Sequence, residues 1–289
     1  MASAGSRSSD FAFRSLRKPE EFRHAEELQR EALGVEATPP VPAPLLRSLQ
    51  DNGGLVLGAF VDIYLAGVAV SSIGWDGTTL YHHSHVTVVR PQYQSHHVGV
   101  RLKAFQRDEV LRLGLSEVRW SFDPLHRPSA SLAVRHLGAE PDSYRANYFG
   151  QLGDPSASVD ESDRLHVRWR LGQPDVERRL SGSFPPAEEE LRRWSEAPAI
   201  VETEPGESGL RLPTAVVEPS GATATIEIPF DLGSIRSHEP AALRRWRHAV
   251  RDAFRAALDA RLAVRDLVVV SVEHERRCFY LLDHPPAAG

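Results

Sequence analysis

Residues Thr79 to Val89, TLYHHSHVTVV, concentrate β-branched and aromatic side chains, and Pro91 stops the run. Such a stretch is long enough for a central strand. Beyond it, Val98, Leu102, Phe105, Val110 and Leu111 recur at helical spacing until Gly114, so a helix over Val98 to Leu113 follows the strand directly. A further strand is expected at Glu117 to Phe122. Strand, helix and strand in immediate succession form a crossover unit, and that commits this part of the chain to a mixed α/β layer architecture.

The flanking segments fit the same class. Phe11 to Leu16 alternates like a short strand, and Pro19 opens a Glu/Arg-rich helix to about Leu33. A short helical segment, Leu45 to Asp51, is stopped by Asn52-Gly53-Gly54, and strands Leu55 to Val61 and Leu65 to Ser72 then read as a hairpin. Downstream, a helix is expected at Pro128 to Leu137, with strands at Tyr144 to Phe149 and Leu165 to Leu171. The Pro/Glu/Ser/Gly-rich stretch after Gly172, with a short helical piece at Glu188 to Trp194, reads as a linker. The expected organisation is a tail over 1–10, an α/β domain over 11–172, a linker over 173–212 and a β-α-β-β extension over 213–289. In that extension Leu243, Trp246, Val250, Phe254 and Leu258 make one apolar stripe on a helix from about Pro240 to Leu262, followed by strands Leu267 to Val272 and Cys278 to Leu282. A unit of this size holds little core, so docking within the chain or a homodimer through the stripe is expected.

Composition narrows the function classes. The chain has 289 residues and a formal net charge of -5, without a block of like charges, so the electrostatic footprint of a nucleic-acid binder is missing. Its longest apolar runs are strand-sized, far below the roughly 18 residues of a membrane-spanning helix. The Ser/Ala/Gly-rich start has no apolar stretch of signal-peptide type, and Cys278 is the single cysteine. Both point to a cytoplasmic protein, and the charge pattern points to a small-molecule or protein partner, with no nucleic acid and no membrane.

The junction Thr87-Val-Val-Arg-Pro-Gln-Tyr-Gln-Ser-His-His-Val-Gly-Val100 leads from the central strand into a helix N-terminus. Unpaired backbone N–H groups and the positive end of the helix dipole suit a pyrophosphate there, although many such junctions bind nothing. Strand alternation places His83, His85 and Thr87 on one face and His82, Ser84 and Val86 on the other. An aliphatic amine, with a pKa of about 10.4 like lysine, must lose a proton before it attacks an acyl group, and a histidine is suited to take it. A buried histidine is also often a hydrogen-bonded core residue. A zinc site at His82, His83, His85, His96 and His97 is disfavoured, because the strand histidines divide between faces and cysteine ligands are absent; no metal is expected.

Val89-Arg-Pro-Gln-Tyr-Gln-Ser-His-His-Val-Gly99 resembles motif A of the GNAT superfamily of acyl-CoA-dependent N-acyltransferases, in which a strand ending in V-x-P leads into (Gln/Arg)-x-x-Gly-x-(Gly/Ala). Gln94 and Gly99 match, and His97 stands where the pattern has its first glycine. Further short runs resemble a subgroup of GNAT acetyltransferases with a C-terminal extension: Ser84-His85, Trp120 to Leu125, Leu137 to Ala139, Asn147 to Gly150, Asp163 to Leu165 with Val167 to Trp169, Ile228-Pro229 and Trp246-Arg247.

The resemblance implies a splayed mixed sheet flanked by helices and a pantetheine arm between the strands Thr79 to Val89 and Glu117 to Phe122. It implies acetyl-CoA or another short acyl-CoA as co-substrate, held by the backbone of Thr87, Val88 and Val89, by the turn residues Gln94, Ser95, His96, His97, Val98, Gly99 and Val100, and by Ser129. His85 is the expected general base and His83 its relay, by resemblance to the paired histidines of the arylalkylamine branch. Tyr144 and Tyr148 are candidate acids for the departing thiolate, with packing aromatics as their plainer role, and Asp123 is a candidate for a substrate ammonium or a turn cap. The implied reaction is acetyl or succinyl transfer to a small-molecule amine, such as an amino acid. Departures from the pattern at His97, Ser129, Ala133 and Val134 motivate an alternative, a catalytically silent GNAT-fold module for binding or assembly.

Overall fold

The computed structural model describes residues 11–33, 39–150, 161–183, 194, 196–206, 209–272 and 274–284. The expected tail over 1–10, and the helical piece expected at Glu188 to Trp194 apart from Trp194 itself, lie outside them. The chain is mixed α/β, a multi-strand mixed sheet with flanking helices. It divides into two compact units, 1–118 and 119–289. The composition shift after Gly172 thus lies inside the second unit.

In the first unit, strands β1 (Ala12–Ser15), β2 (Leu55–Val61), β3 (Tyr64–Trp75) and β4 (Leu80–Val89) run in spatial order β1-β2-β3-β4, each pair antiparallel. Helices α1 (Pro19–Leu33) and α2 (Ala43–Asp51) supply Phe22, Leu28 and Leu46 to a core with Val56, Val68, Val70 and Val88 from the strands. Helix α3 (Val98–Arg112) ends at Gly114, whose φ of +78° is the left-handed value that a helix-terminating glycine adopts without strain.

One irregularity governs the rest. Val70 pairs with Val86 and Ser71 with Ser84, so β4 carries His85 as an extra residue with no partner in β3. Such a bulge shifts the side-chain alternation by one. Before it, Ser84 faces α3 and accepts a hydrogen bond from Lys103 Nζ at 3.2 Å. After it, Val88 belongs to the α1/α2 core, while Val89 faces α3, since a Cβ on its partner Gly67 would meet Val89 Cγ2 at 3.2 Å and Val98 Cγ1 at 3.6 Å. Residues 84 and 89 could not share a face in a regular strand.

The second unit contains β5 (Glu117–Phe122) from residue 119 on, β6 (Glu140–Arg145) and β7 (Arg164–Arg170), in the order β5-β7-β6. Between β5 and β6 lie α4 (Arg127–Ala130) and a π-turn (Ser131–His136). Helix α5 (Pro174–Leu180) and the hairpin β8 (Val201–Pro205)–β9 (Arg211–Val216) occupy much of the segment expected to be a linker. A three-stranded sheet, ordered β10-β12-β11, is built from β10 (Thr223–Ile228), β11 (Ala263–Val272) and β12 (Glu275–Asp283). Helices α6 (Leu232–His238) and α7 (Pro240–Asp259) complete it, and α7 buries Leu243, Trp246, Val250 and Phe254.

The C-terminal elements are tied to the rest of this unit by polar contacts. Tyr280 Oη donates to the Pro124 carbonyl at 2.9 Å, and Arg247 grips both oxygens of Asp123. Fully buried Asp163 accepts from Tyr144 Oη at 2.6 Å, Asn147 N at 2.9 Å and Arg251 Nε at 2.9 Å. Removing one partner of such a charged set would leave an uncompensated buried charge, so residues far apart in sequence hold the unit together.

Candidate active site

His83 and His85 lie on the same face of β4. Their rings meet edge to face, with centroids 5.0 Å apart, and His85 Nε2 is 2.8 Å from Ser72 Oγ on β3. His85 is exposed, yet desolvation by its surroundings still lowers its pKa below the ordinary 6.5. It is therefore a neutral base at physiological pH. Thr87 does not join this pair. The bulge turns it to the α3 face with Val89, so only its main chain remains available to a ligand on the histidine side.

Behind the pair, on the α3 face, lies a buried polar cluster. Ser71 Oγ is 3.0 Å from His82 Nδ1, and Lys103 Nζ donates to Gln106 Oε1 at 2.6 Å as well as to Ser84. His82 and Gln106 are 0% exposed, and neither His82 Nε2 nor Gln106 Nε2 finds a partner among the described residues. Desolvation pulls the pKa of His82 down to about 4 and that of Lys103 down to about 7. His82 is thus a core residue, divided by the sheet from the other two histidines. Among the described residues, no group of three or more His, Cys, Asp or Glu side chains is arranged to hold a metal ion.

Past Val89 the chain makes a 3₁₀ turn, Pro91–His96, and enters α3 through His97 at φ 53°, ψ 20°. The turn rests on Phe11, whose ring lies 5.8 Å from Tyr93 and 6.3 Å from His96, and Gln94 Nε2 donates to the Val89 carbonyl at 3.1 Å. Successive residues of right- and left-handed helical conformation turn their N–H groups into one concavity, a nest suited to an anion. The His97 side chain does not cap α3, and its first turn has no acidic residue. Gly99 is open, since a Cβ there would meet only Val89 Cγ2, at 3.9 Å.

His97 thus holds a positive-φ backbone position of the kind that favours glycine, at a cost of roughly 1–2 kcal/mol. His97→Gly trades the relieved strain against the extra chain entropy of glycine and the contacts that the imidazole makes, so a net change in stability within about 1 kcal/mol is expected. Urea unfolding of the two proteins checks it through the shift in midpoint.

The remaining expected site residues lie in the second unit. Ser129 Oγ is 2.8 Å from His126 Nδ1. Asp123 accepts from Leu125 N at 2.9 Å, and with Arg247 on both oxygens its carboxylate caps the turn and closes an ion pair. Tyr148 is in a turn, not on a strand: Asn147, at φ 46°, ends the course of β6, and the Tyr148 ring packs on Phe149 at 4.7 Å and His166 at 4.9 Å. Sequence reasoning missed Ser72 and Lys103; the Ser71-Ser72 pair facing a histidine-rich strand was the signal for the first.

No protein-family profile and no curated protein matches the chain. Among solved structures it is similar to the ribosomal-protein-S18-alanine N-acetyltransferase from Escherichia coli, at 18% identity and TM-score 0.46 over 57% of this chain and 96% of that one. It is also similar to an acetyltransferase of the GNAT family from Streptococcus pneumoniae, at 13% identity and TM-score 0.45 over 56% and 100% of the two chains. A third is the NatC complex bound to Gag peptide and CoA, at 13% identity and TM-score 0.45 over 56% and 98%. No helix among the described residues is long and apolar enough to cross a membrane.

Proposed function

We propose that this chain is a GNAT-type N-acyltransferase that moves an acetyl or other short acyl group from acyl-CoA to the amine of a small molecule, with an amino acid as the favoured acceptor. The observation that carries the reading is the junction from β4 to α3: a neutral histidine pair on the strand, then a left-handed residue and an uncapped helix start.

The fit to the co-substrate rests on charge and space. The nest at His96 and His97 and the N–H groups of Val98, Gly99 and Val100 would hold a pyrophosphate, and Gly99 leaves the helix backbone open to close approach. Main-chain groups of Thr87 to Val89 would align the arm, roles that tolerate any side chain. Acyl-CoA would supply a thioester already activated for attack. His85 would take a proton from the acceptor's ammonium, so that the free amine attacks the acyl carbon and the carbon–sulfur bond breaks to release CoA, with His83 as its neighbour for onward transfer. Holding amine and acyl carbon together would supply much of the remaining acceleration. His97 favours a second reading, a catalytically silent binding or assembly module that takes CoA weakly or not at all, because an imidazole there fills space that a glycine would leave open to the phosphates.

Calorimetry with CoA and acetyl-CoA, followed by thiol-release assays over a panel of amino acids and arylalkylamines, tests the proposal. Saturable binding with turnover is expected; no binding of any CoA species up to millimolar concentration overturns it. Gly99→Ala separates fold from ligand. The new methyl makes only ordinary contact in the protein and helix propensity favours it, so stability should be kept or raised. CoA affinity should stay within about threefold, because the GNAT pattern admits alanine as well as glycine at this position. A fall of about tenfold or more would mean that the co-substrate sits closer to this helix start than the pattern requires.

A further inference from the structure

Ser72 Oγ and His85 Nε2 stand 2.8 Å apart, and the His83 ring lies edge to face against His85. Ser72 pairs with His83 across the β3–β4 ladder, which fixes the three side chains on one face. His85 is exposed and Ser72 partly so, leaving the pair within reach of a small solute. A hydroxyl within hydrogen-bond reach of a neutral imidazole, itself held by a third group, is the arrangement that makes serine a nucleophile.

We propose that Ser72 and His85 form a nucleophile–base pair that gives the chain an amine-independent activity: acceptance of an acyl group on Ser72 from an activated ester or thioester, and its release to water. In the first step Ser72 Oγ bonds to the acyl carbon while its proton passes to His85 Nε2. The bond from that carbon to the leaving oxygen or sulfur breaks, and the leaving group takes the proton from His85. In the second step water attacks the acyl carbon and gives His85 its proton. The bond to Ser72 Oγ breaks, and Ser72 recovers a proton from His85. The sum is acyl donor plus water giving carboxylic acid plus alcohol or thiol, with no change of oxidation state. For a CoA thioester as donor the proposal rests on the reading above; for a simple ester it does not.

The test therefore uses p-nitrophenyl acetate with the full chain. A burst of nitrophenolate and one acetyl group mapped to the peptide containing Ser72 are expected, absent in Ser72→Ala and slowed at least about tenfold in His85→Ala. Ser72→Cys supplies an independent readout, because the native thiol, Cys278, is buried and its pKa is pushed up to about 12. Iodoacetamide should alkylate the new thiol at pH 7 at least about tenfold faster with His85 present than in Ser72→Cys/His85→Ala. Acetyl found only on other residues, or alkylation rates that do not depend on His85, would overturn the pair. CoA calorimetry on the same preparation keeps the two ideas apart: acetylated Ser72 without CoA binding sustains this proposal and removes the transferase, and CoA turnover without acetylated Ser72 does the reverse.

Discussion

His85→Ala is expected to lower kcat/KM for acyl transfer by about 10²- to 10⁴-fold, the range that a positioned general base supplies, while the protein stays folded. The side chain is exposed, sits on the bulge without a cross-strand partner, and has Ser72 and the His83 ring as its named contacts. Its removal therefore leaves no buried group stranded. The pH profile should carry the same signature. A base works when neutral, and desolvation lowers the His85 pKa below 6.5, so its acid limb belongs below pH 6.5, and activity should not fall at that step between pH 7 and 8. Any rise there would report the amine's own ionisation, which a series of acceptors of different pKa separates from the enzyme's limb. His83→Ala should cost less, since that ring is a neighbour to the base. Thiol release across pH 5 to 9 for the three proteins gives the answer. Activity of His85→Ala within a few-fold of wild type would place the base elsewhere.

The histidine pair was legible in the sequence, whereas its surroundings were only partly so. Period-two alternation correctly predicts that residues 83 and 85 share a face, but it carries Thr87 along with them. A bulge inserts one residue against the partner strand, and nothing in the residues 84–86 themselves announces it. Leu55 to Val61 and Glu117 to Phe122 have the expected bounds, because a short apolar or alternating run flanked by turn residues leaves little choice.

β6 was displaced for the opposite reason. Glu140 to Arg145 contains Pro141 and Asp142, residues poor in strands, while Tyr144 to Phe149 has the better local propensity. Pairing with β7 decides it: Arg168 Nε reaches Asp142 Oδ2 at 2.8 Å and Arg170 pairs with Glu140, while Asp163 takes the Asn147 N–H out of the ladder. Helix α6 was hidden by Gly233, although Asp231 supplies a cap that accepts from Ser234 N at 3.0 Å. Lys103 carries no signal of burial in the sequence and is 2% exposed; which side of α3 meets the sheet depends on long-range packing.

That buried cluster carries the largest expected effect on stability. Lys103 has a folded pKa of about 7 against an ordinary 10.5, and His82 about 4 against 6.5, both lowered by desolvation. For each group the unfolded chain binds more protons between the two values, so stability rises with pH across that window. For His82 the contribution is complete above 6.5 and is lost as pH falls toward 4. For Lys103 it is complete above 10.5 and is lost as pH falls toward 7. At 1.36 kcal/mol per pH unit, the shifts correspond to on the order of 3 kcal/mol for His82 and on the order of 5 kcal/mol for Lys103. Urea unfolding at fixed temperature should therefore show the midpoint climbing from pH 4 to 6.5 and again from pH 7 to 9. Lys103→Met, which nearly conserves side-chain volume, should flatten the upper climb and leave the lower one. It also strips Ser84 and Gln106 of a donor, so its absolute stability matters less than the slope. A wild-type midpoint level between pH 7 and 9, or an unchanged slope in Lys103→Met, would mean that the ammonium keeps its charge inside the protein. The pocket behind β4 would then have to be more polar than its side chains make it.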